Sequence, residues 1–389
     1  MSSLIVKVVK IEKIIKHPNA DRLRIASFYD MGWNCIIGLN DLEENDLAVF
    51  IPPDSILPEE LAEKYKLEYL KKGARVKTIK LRGYISQGVC LPIQPGFKEG
   101  QNVAKQLGIV KYEPPEPSYQ KGPKESIVSL YRKYREGKIA FKRLIKKSLG
   151  LIKDSLKPKK NVNPLFTKYI DIENIKNYNT IFKEGEEVII SEKCHGTNAR
   201  YANLPIPNTL YNKIKKLFTK ETHQFVWGSH NVQKTPLNGN GYYGEDAYGK
   251  IAERYNLKKI IPKDYILYGE VYGKKIQELE YGLEDIDVVF FDLKYKGQYV
   301  DWDAFVAFVE GVNLPNVPVL YRGPYSQEIR NKYTNGCRSM LANLNGKDQI
   351  SEGCVIKPLK ESIDPRVGRK ILKSISEEYL LTKNRTEHH

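Results

Sequence analysis

A chain of 389 residues, 41% of them hydrophobic, is long enough for two or three domains with cores of their own. It has no apolar run of membrane-spanning length and no signal-peptide core after Met1, which predicts a cytoplasmic or nuclear protein and argues against a membrane or secreted one. The net charge of +16 favours a polyanionic partner, and five scattered cysteines without a Cys-x-x-Cys pair argue against a structural zinc site.

In chain order, residues 4–15, 23–28, 33–37 and 48–51 read as short strands, the last running into Pro52-Pro53. Residues 76–81 and 88–91 complete five or six strands, the pattern of a small OB-like β-barrel over 1–111. The turn His17-Pro18-Asn19-Ala20-Asp21-Arg22-Leu23 resembles one in OB-fold tRNA-binding domains, and Arg82 to Gly88 reads as a loop. Ordinary barrel turn chemistry explains both equally well. An OB barrel can offer nucleic acid a basic, aromatic groove, and Trp33, Tyr84, Arg75, Lys77, Lys80 and Arg82 would build one if they share a face.

Between 112 and 163 the composition shifts. Pro114, Pro115 and Pro117 open a linker, and residues 121–160 carry fourteen Lys/Arg against three Asp/Glu, +11 of the total charge. Apolar residues recur at helical spacing (Ile127, Leu130, Tyr131, Tyr134; then Ile139, Leu144, Ile145, Leu149), predicting one or two basic amphipathic helices. A solvated face is the commonest reason for such a charge run. Contact with phosphates is the sharper reading, and a membrane-surface helix the lesser one.

A third domain is expected over 164–389. Ile172 and Ile175 mark a helix-like stretch. Val188-Ile189-Ile190-Ser191 then reads as a buried strand, followed at once by Glu192-Lys193-Cys194-His195-Gly196-Thr197-Asn198-Ala199-Arg200. A lysine at the mouth of a strand, beside a backbone able to approach a phosphate, suits a nucleophilic amine. Further on come a strand at Phe225-Val226-Trp227 followed by Gly228-Ser229-His230, a strand ending in Gly269-Glu270, and a buried strand ending in Phe291-Asp292. A helix is expected from Trp302 to Phe308. Glu352 and Lys357 stand at opposite ends of a short strand, and Arg369 to Lys373 form a last basic one before a helix at Glu377 to Leu380. Gly239 to Gly244 fits Gly-x-Gly-x-x-Gly but follows a polar segment with Pro236, so it reads as a loop and not a dinucleotide site.

Singly these features are weak. In order, they resemble motifs I, Ia, III, IIIa, IV and V of the RNA ligase branch of the covalent nucleotidyltransferases, most specifically at 188–200 and 351–358. An N-terminal barrel is similar to the arrangement in Deinococcus-type and Naegleria-type RNA ligases. The resemblance implies an α+β chain: an OB-like barrel ahead of a nucleotidyltransferase domain of antiparallel sheets with helices. It also implies ATP and a divalent metal, Mg or Mn. Lys193 would attack the ATP α-phosphorus and carry AMP. Glu192 with Gly196 and nearby backbone would meet the adenine edge, Asn198 and Glu270 the ribose, and Phe291 would stack on the base. Glu352 would anchor the metal, Lys357 and Lys373 the phosphates, and Arg200 and His230 would complete the nucleotide site.

Three departures stand out. His195 occupies a position where DNA ligases and capping enzymes carry Asp, His230 one where many relatives carry Arg, and the final lysines are spaced Lys370-x-x-Lys373 rather than Lys-x-Lys. On a strand, Lys370 would face away from Lys373.

The leading expectation is therefore an ATP-dependent RNA ligase sealing 3′-OH and 5′-phosphate ends of nicked duplex or structured RNA, as a monomer, through a lysyl-AMP. A capping guanylyltransferase or a DNA ligase is the first alternative, disfavoured because only sixteen residues follow Lys373. A non-catalytic RNA- or tRNA-binding protein is the second. Because every group assigned to the first step lies after Lys160, residues 1–160 are expected to be dispensable for making the adenylate.

Overall fold

The computed structural model describes residues 4–70, 73–112, 127–137, 140–142, 145, 147, 162–208, 221–234, 246–382 and 385–386. In the first domain the chain forms β1 (Lys7–Lys16), β2 (Leu23–Phe28), β3 (Asn34–Gly38) and β4 (Leu47–Ile51), then β5 (Ser55–Ile56) and a short helix, Glu59–Lys64. β6 (Thr78–Leu81), β7 (Tyr84–Gln87), β8 (Val89–Pro92) and β9 (Val110–Lys111) follow. A five-stranded antiparallel sheet in the order β3-β2-β1-β4-β8 curls around Ile11, Phe28, Trp33 and Phe50. A hydrogen bond from Ile36 N to Ser86 Oγ (3.0 Å) draws β3 toward the β6–β7 hairpin and the sheet toward closure. The expected OB-like barrel is present.

Residues 82–88 are not a loop. Arg82 (φ +48°) and Gly83 (φ +93°) form a two-residue turn with both φ positive, the geometry that matches strand twist, and β7 pairs straight back on β6. The two stretches singled out in the barrel touch each other: Asn19 Nδ2 donates to Arg82 O (2.9 Å), and Tyr84 packs edge-on against buried His17. They are turn chemistry. Of the basic linker, the helix Ile127–Arg135 is described, whereas Ile139, Leu144 and Leu149 lie outside the described residues, as does Gly239 to Gly244.

The second domain is two sheets packed face to face, with helices Ala247–Arg254 and Trp302–Gly311 contributing to the core. Its strands are β10 (Glu173–Asn174), β11 (Glu187–Glu192), β12 (Thr197–Pro205), β13 (His223–Ser229), β14 (Gln233–Lys234), β15 (Tyr265–Gly273) and β16 (Ile286–Tyr295). β17 (Gln298–Tyr299), β18 (Val319–Pro324), β19 (Gly353–Pro358), β20 (Ile363–Asp364), β21 (Gly368–Arg369) and β22 (Leu372–Ile375) complete it. One sheet runs β10-β22-β19-β11-β18 and the other β14-β13-β12-β15-β16-β17. Ile189 points into the core between them, while Val188 and Ile190 pack on the far side with Ile356, Leu372 and Phe182. That explains the continuous apolar run: a strand buried on both faces does not alternate.

Two expected elements differ. The Ile172/Ile175 stretch is a bridge strand, β10, and a single 3-10 turn, Ile175–Asn177, because the Asn174 side chain accepts from Lys176 N and β10 pairs parallel to β22. The last basic strand is broken. Arg369 belongs to β21, Lys373 to β22, and Lys370 between them turns out to Glu186 at 2.6 Å.

The domains meet along a polar seam. Gly32 N donates to Lys176 O (2.8 Å), and Trp33 Nε1 to Asn177 Oδ1 (2.8 Å). Lys176 Nζ bonds Gln87 Oε1 (2.7 Å) and Glu377 Oε1 (2.9 Å). Trp33 therefore belongs to the seam and the barrel core, not to a nucleic-acid groove.

Candidate active site

Strand register assembles the site. On β12 and β15, Asn198 stands directly opposite Glu270, and on β19 and β22, Val355 stands opposite Lys373. Lys193, just past the end of β11, is pinned by its own N–H donating to Gly353 O (3.0 Å). The next turn is tight: a Cβ on Gly196 would lie 2.3 Å from Val271 O. Gly353 has φ +141°, and a Cβ there would lie 2.1 Å from Ser374 O. Both positions require glycine.

The result is a cavity of about 380 Å³ lined by Lys193, Gly196, Asn198, His230, Glu270, Phe291, Lys357 and Lys373, with Tyr169 and Val317 among its other walls. Nine of the residues singled out as site candidates share it, Glu192 being the ninth. Glu352 lies just behind, 1% exposed, accepting from Lys193 Nζ at 2.7 Å while His195 Nδ1 lies 3.3 Å away. Burial alone would raise the Glu352 carboxyl, but Lys193 and His195 outweigh it and hold the group down at about 2. Glu270 goes the other way. Burial dominates, Glu352 adds repulsion, and the carboxyl is pushed up to about 8 despite Lys193. Asn198 Oδ1 is buried with no hydrogen-bond partner among the described residues. An orphaned acceptor facing a cavity awaits a donor such as a hydroxyl.

At the other end, Lys357 is 4% exposed, with Nζ 3.4 Å from Asp292 Oδ1, 3.3 Å from Phe291 O and 4.8 Å from the centre of the Trp302 ring. Burial lowers its pKa, against the pull of Asp292. Asp292 also accepts from Arg369 NH1 (2.6 Å) and Tyr169 OH (2.7 Å). Burial would raise the Asp292 carboxyl, but Lys357 and Arg369 more than offset that and keep it ionised. Phe291 meets Tyr169 edge-on with ring centres 5.0 Å apart. His230 is pushed down to about 4 by burial, Lys168 and Arg200, although Asp171 lies 3.8 Å away. It is a neutral ring at pH 7, not a substitute for arginine's charge.

Two of the sequence assignments need correction. The Glu192 carboxylate does not face a ligand. It accepts from Ser339 Oγ, Met340 N (2.9 Å) and Leu341 N (3.1 Å), capping the helix Met340–Leu344 at the cavity's edge. Arg200 is 2% exposed, outside the cavity, donating to Ser229 O (2.9 Å) and Phe166 O (2.7 Å) with its guanidinium over the Phe166 ring. It ties β12 to the entry segment. Sequence reading passed over Tyr169, Asp292 and Arg369. Asp292 was visible next to Phe291, but no local pattern links it to Arg369, 77 positions away. Cys194, beside the lysine, is inert: burial, then Glu270 and Glu192, hold its thiol far up.

Set against known proteins, residues 186–375 match the RNA ligase family model and residues 5–93 that of an OB-fold domain. No curated protein matches the chain. Among solved structures it is similar to a point mutant of the Naegleria gruberi RNA ligase in apo form, at 20% identity, with a TM-score of 0.67 over 98% of each chain. The same ligase with PPi gives 0.68 at 20% identity, over 97% of this chain and 98% of that one. A point mutant with ATP and Mn gives 0.67 at 20% identity with the same coverage. At that identity the likeness is one of fold, and it extends over both domains.

Proposed function

From the premise that the chain belongs to the RNA ligase family through residues 186–375, we propose that it is an ATP-dependent ligase, active as a monomer, that joins 3′-OH and 5′-phosphate RNA ends at nicks or in structured RNA. The observation that carries this reading is the composition of one cavity. An amine (Lys193), an orphaned amide oxygen (Asn198), a neutral carboxyl (Glu270), an aromatic face (Phe291) and two more lysines (Lys357, Lys373) converge on about 380 Å³. A nucleoside triphosphate needs that inventory: donors and acceptors for the sugar, a stacking surface for the base, cations for the phosphates. The solved Naegleria ligase with ATP and Mn supports the choice of nucleotide.

In the first step the Lys193 amine attacks the α-phosphorus. A P–N bond forms, the bond to pyrophosphate breaks, the attacking nitrogen gives up a proton to solvent, and pyrophosphate leaves. Lys357 and Lys373 take up the charge spread over the phosphate oxygens. The RNA 5′-phosphate then displaces Lys193 to give an AMP-capped end, and the 3′-OH displaces AMP. Among the described residues no cluster of three or more His, Cys, Asp or Glu forms a metal cage. The buried carboxylate of Glu352 would hold Mg or Mn. Such a cation would neutralise charge on the phosphate oxygens.

Incubation of the full chain with radiolabelled ATP or GTP and a divalent metal tests the reading. ATP, and not GTP, should leave one AMP on the protein by intact mass, and Lys193→Ala should abolish it with the fold intact. Normal labelling of that variant would sink the assignment, and GTP labelling would favour a capping enzyme.

A further inference from the structure

A series of contacts runs from the barrel to the lysine. Asp54 Oδ1 holds Arg75 NH1 at 3.0 Å, the two side chains only 4% and 8% exposed, and the Arg75 guanidinium lies 4.6 Å from the Tyr112 ring centre. Arg75 NH2 crosses the seam and donates to the Arg385 carbonyl (2.9 Å). The Arg385 guanidinium is held by Glu278 (2.9 Å) and by the Tyr379 ring (5.1 Å), with NH1 3.5 Å from His195 Nε2. His195 Nδ1 is 3.3 Å from Glu352 Oε2, and Glu352 Oε1 is 2.7 Å from Lys193 Nζ. Arg75, Arg385 and His195 border a cleft of about 720 Å³ between the domains, distinct from the nucleotide cavity.

The chemistry of the partners orders this series. A guanidinium only donates, so a hydrogen bond from Arg385 requires His195 Nε2 to be the bare acceptor. The ring proton then sits on Nδ1, which faces both Glu352 Oε2 and the Tyr379 hydroxyl, each 3.3 Å away. In the other tautomer an N–H would face the Arg385 guanidinium and repel it, and the bare Nδ1 would have the Tyr379 hydroxyl as its donor, so the Arg385 contact is what selects Nδ1–H. We propose that Arg385, held from the barrel by Arg75, is a positioning residue that fixes His195 in its Nδ1–H form and so sets Glu352 against Lys193. The inference rests on Lys193 being the adenylylated lysine. It gives the barrel a part in the first step, against the expectation that residues 1–160 are dispensable for it.

The test uses the full chain and two readouts. Long-range ¹H–¹⁵N correlation spectra of ¹⁵N-histidine protein, with His195→Asn to assign the signal, should show His195 as the Nδ1–H tautomer. The Nε2–H form would overturn the proposal, and this holds whether or not the protein is active. In single-turnover adenylylation, Arg385→Ala and Arg75→Ala should each lower the maximal rate about tenfold with the ATP KM within about twofold, because neither touches nucleotide. The double variant should be no slower than Arg385→Ala, since Arg75 acts through Arg385. In the His195→Asn background, Arg385→Ala should cost nothing further. Unchanged rates, additive losses, or a loss carried by KM would each refute the arrangement. Should Arg385→Ala fail to fold, Arg385→Lys keeps a donor and should retain most of the rate, and the wild-type tautomer still decides. If wild-type Lys193 takes up no AMP, the ligase reading falls on its own.

Discussion

Glu270 and Glu352 are buried carboxyls of one site whose environments push them in opposite directions, and each leaves its own mark on stability. Glu270 ionises at about 8 in the native state against 4.5 ordinarily. Between those values the folded chain keeps a proton that the unfolded chain gives up, so stability falls as pH rises, by at most about 1.4 kcal/mol per unit. Glu270→Gln should remove that slope, seen as flatter urea midpoints from pH 5 to 8 than wild type. Parallel curves would mean that Glu270 is already ionised. Glu352, at about 2, contributes stability that is present above 4.5 and lost as pH falls toward 2. Its substitution by alanine should cost metal-dependent adenylylation. Phe291→Leu should instead raise the ATP KM, on the order of fivefold for a weakened stack, with kcat little changed. Full metal-dependent turnover by Glu352→Ala would remove it as the metal anchor.

At the scale of elements, the turn-to-helix contacts around Lys193 hold the site together. Glu192 caps the helix Met340–Leu344 with a buried carboxylate, so Glu192→Ala should lower unfolding free energy by about 2 kcal/mol, whatever it does to nucleotide affinity. An unchanged denaturation midpoint would refute the cap. Gly353→Ala should be worse, because the added carbon meets Ser374 O and the shift passes directly to Glu352. The strands were legible in the sequence where a face or a whole strand is buried: β2 from Leu23 to Phe28 and β11 from Val188 on follow their apolar runs. The β6–β7 hairpin was missed because its turn uses Arg82 in a positive φ, which composition does not announce. That Lys193, Asn198, Glu270 and Phe291 share one cavity was legible because a family pattern orders them. Arg200 and the Glu192 carboxylate were misassigned because the same pattern cannot tell a ligand contact from a structural one. Arg385 carried no signal at all: the two residues it links, Arg75 and His195, lie 310 and 190 positions away.

For the molecule as a whole, charge is the dominant feature. The segment 121–160 carries +11 of the +16, and a polyanion bound there would release counterions on binding. RNA affinity should therefore fall with salt by roughly 0.7 to 0.9 log units per phosphate contact for each tenfold rise. Replacing Lys142, Arg143, Lys146 and Lys147 by alanine should flatten the slope, and an unchanged slope would remove this segment from the RNA path. The seam at Trp33, Lys176 and Arg75 ties the barrel to the second domain, and with Arg385 acting as proposed, deletion of the barrel should impair both adenylate formation and sealing; a truncated chain that adenylylates at the full rate would refute this.

Lys357, which lines the cavity, rests its ammonium against the face of Trp302. Indole emission responds to charge near the ring, and a phosphate that draws the ammonium away changes that charge. The chain thus carries its own optical gauge of occupancy. Its three tryptophans report on separate places: Trp33 on the seam, Trp227 beside Asp246, and Trp302 beside Lys357. Titration with ATP in the absence of metal should shift the Trp302 contribution alone, and Trp302→Phe should silence the response while the other two continue to emit.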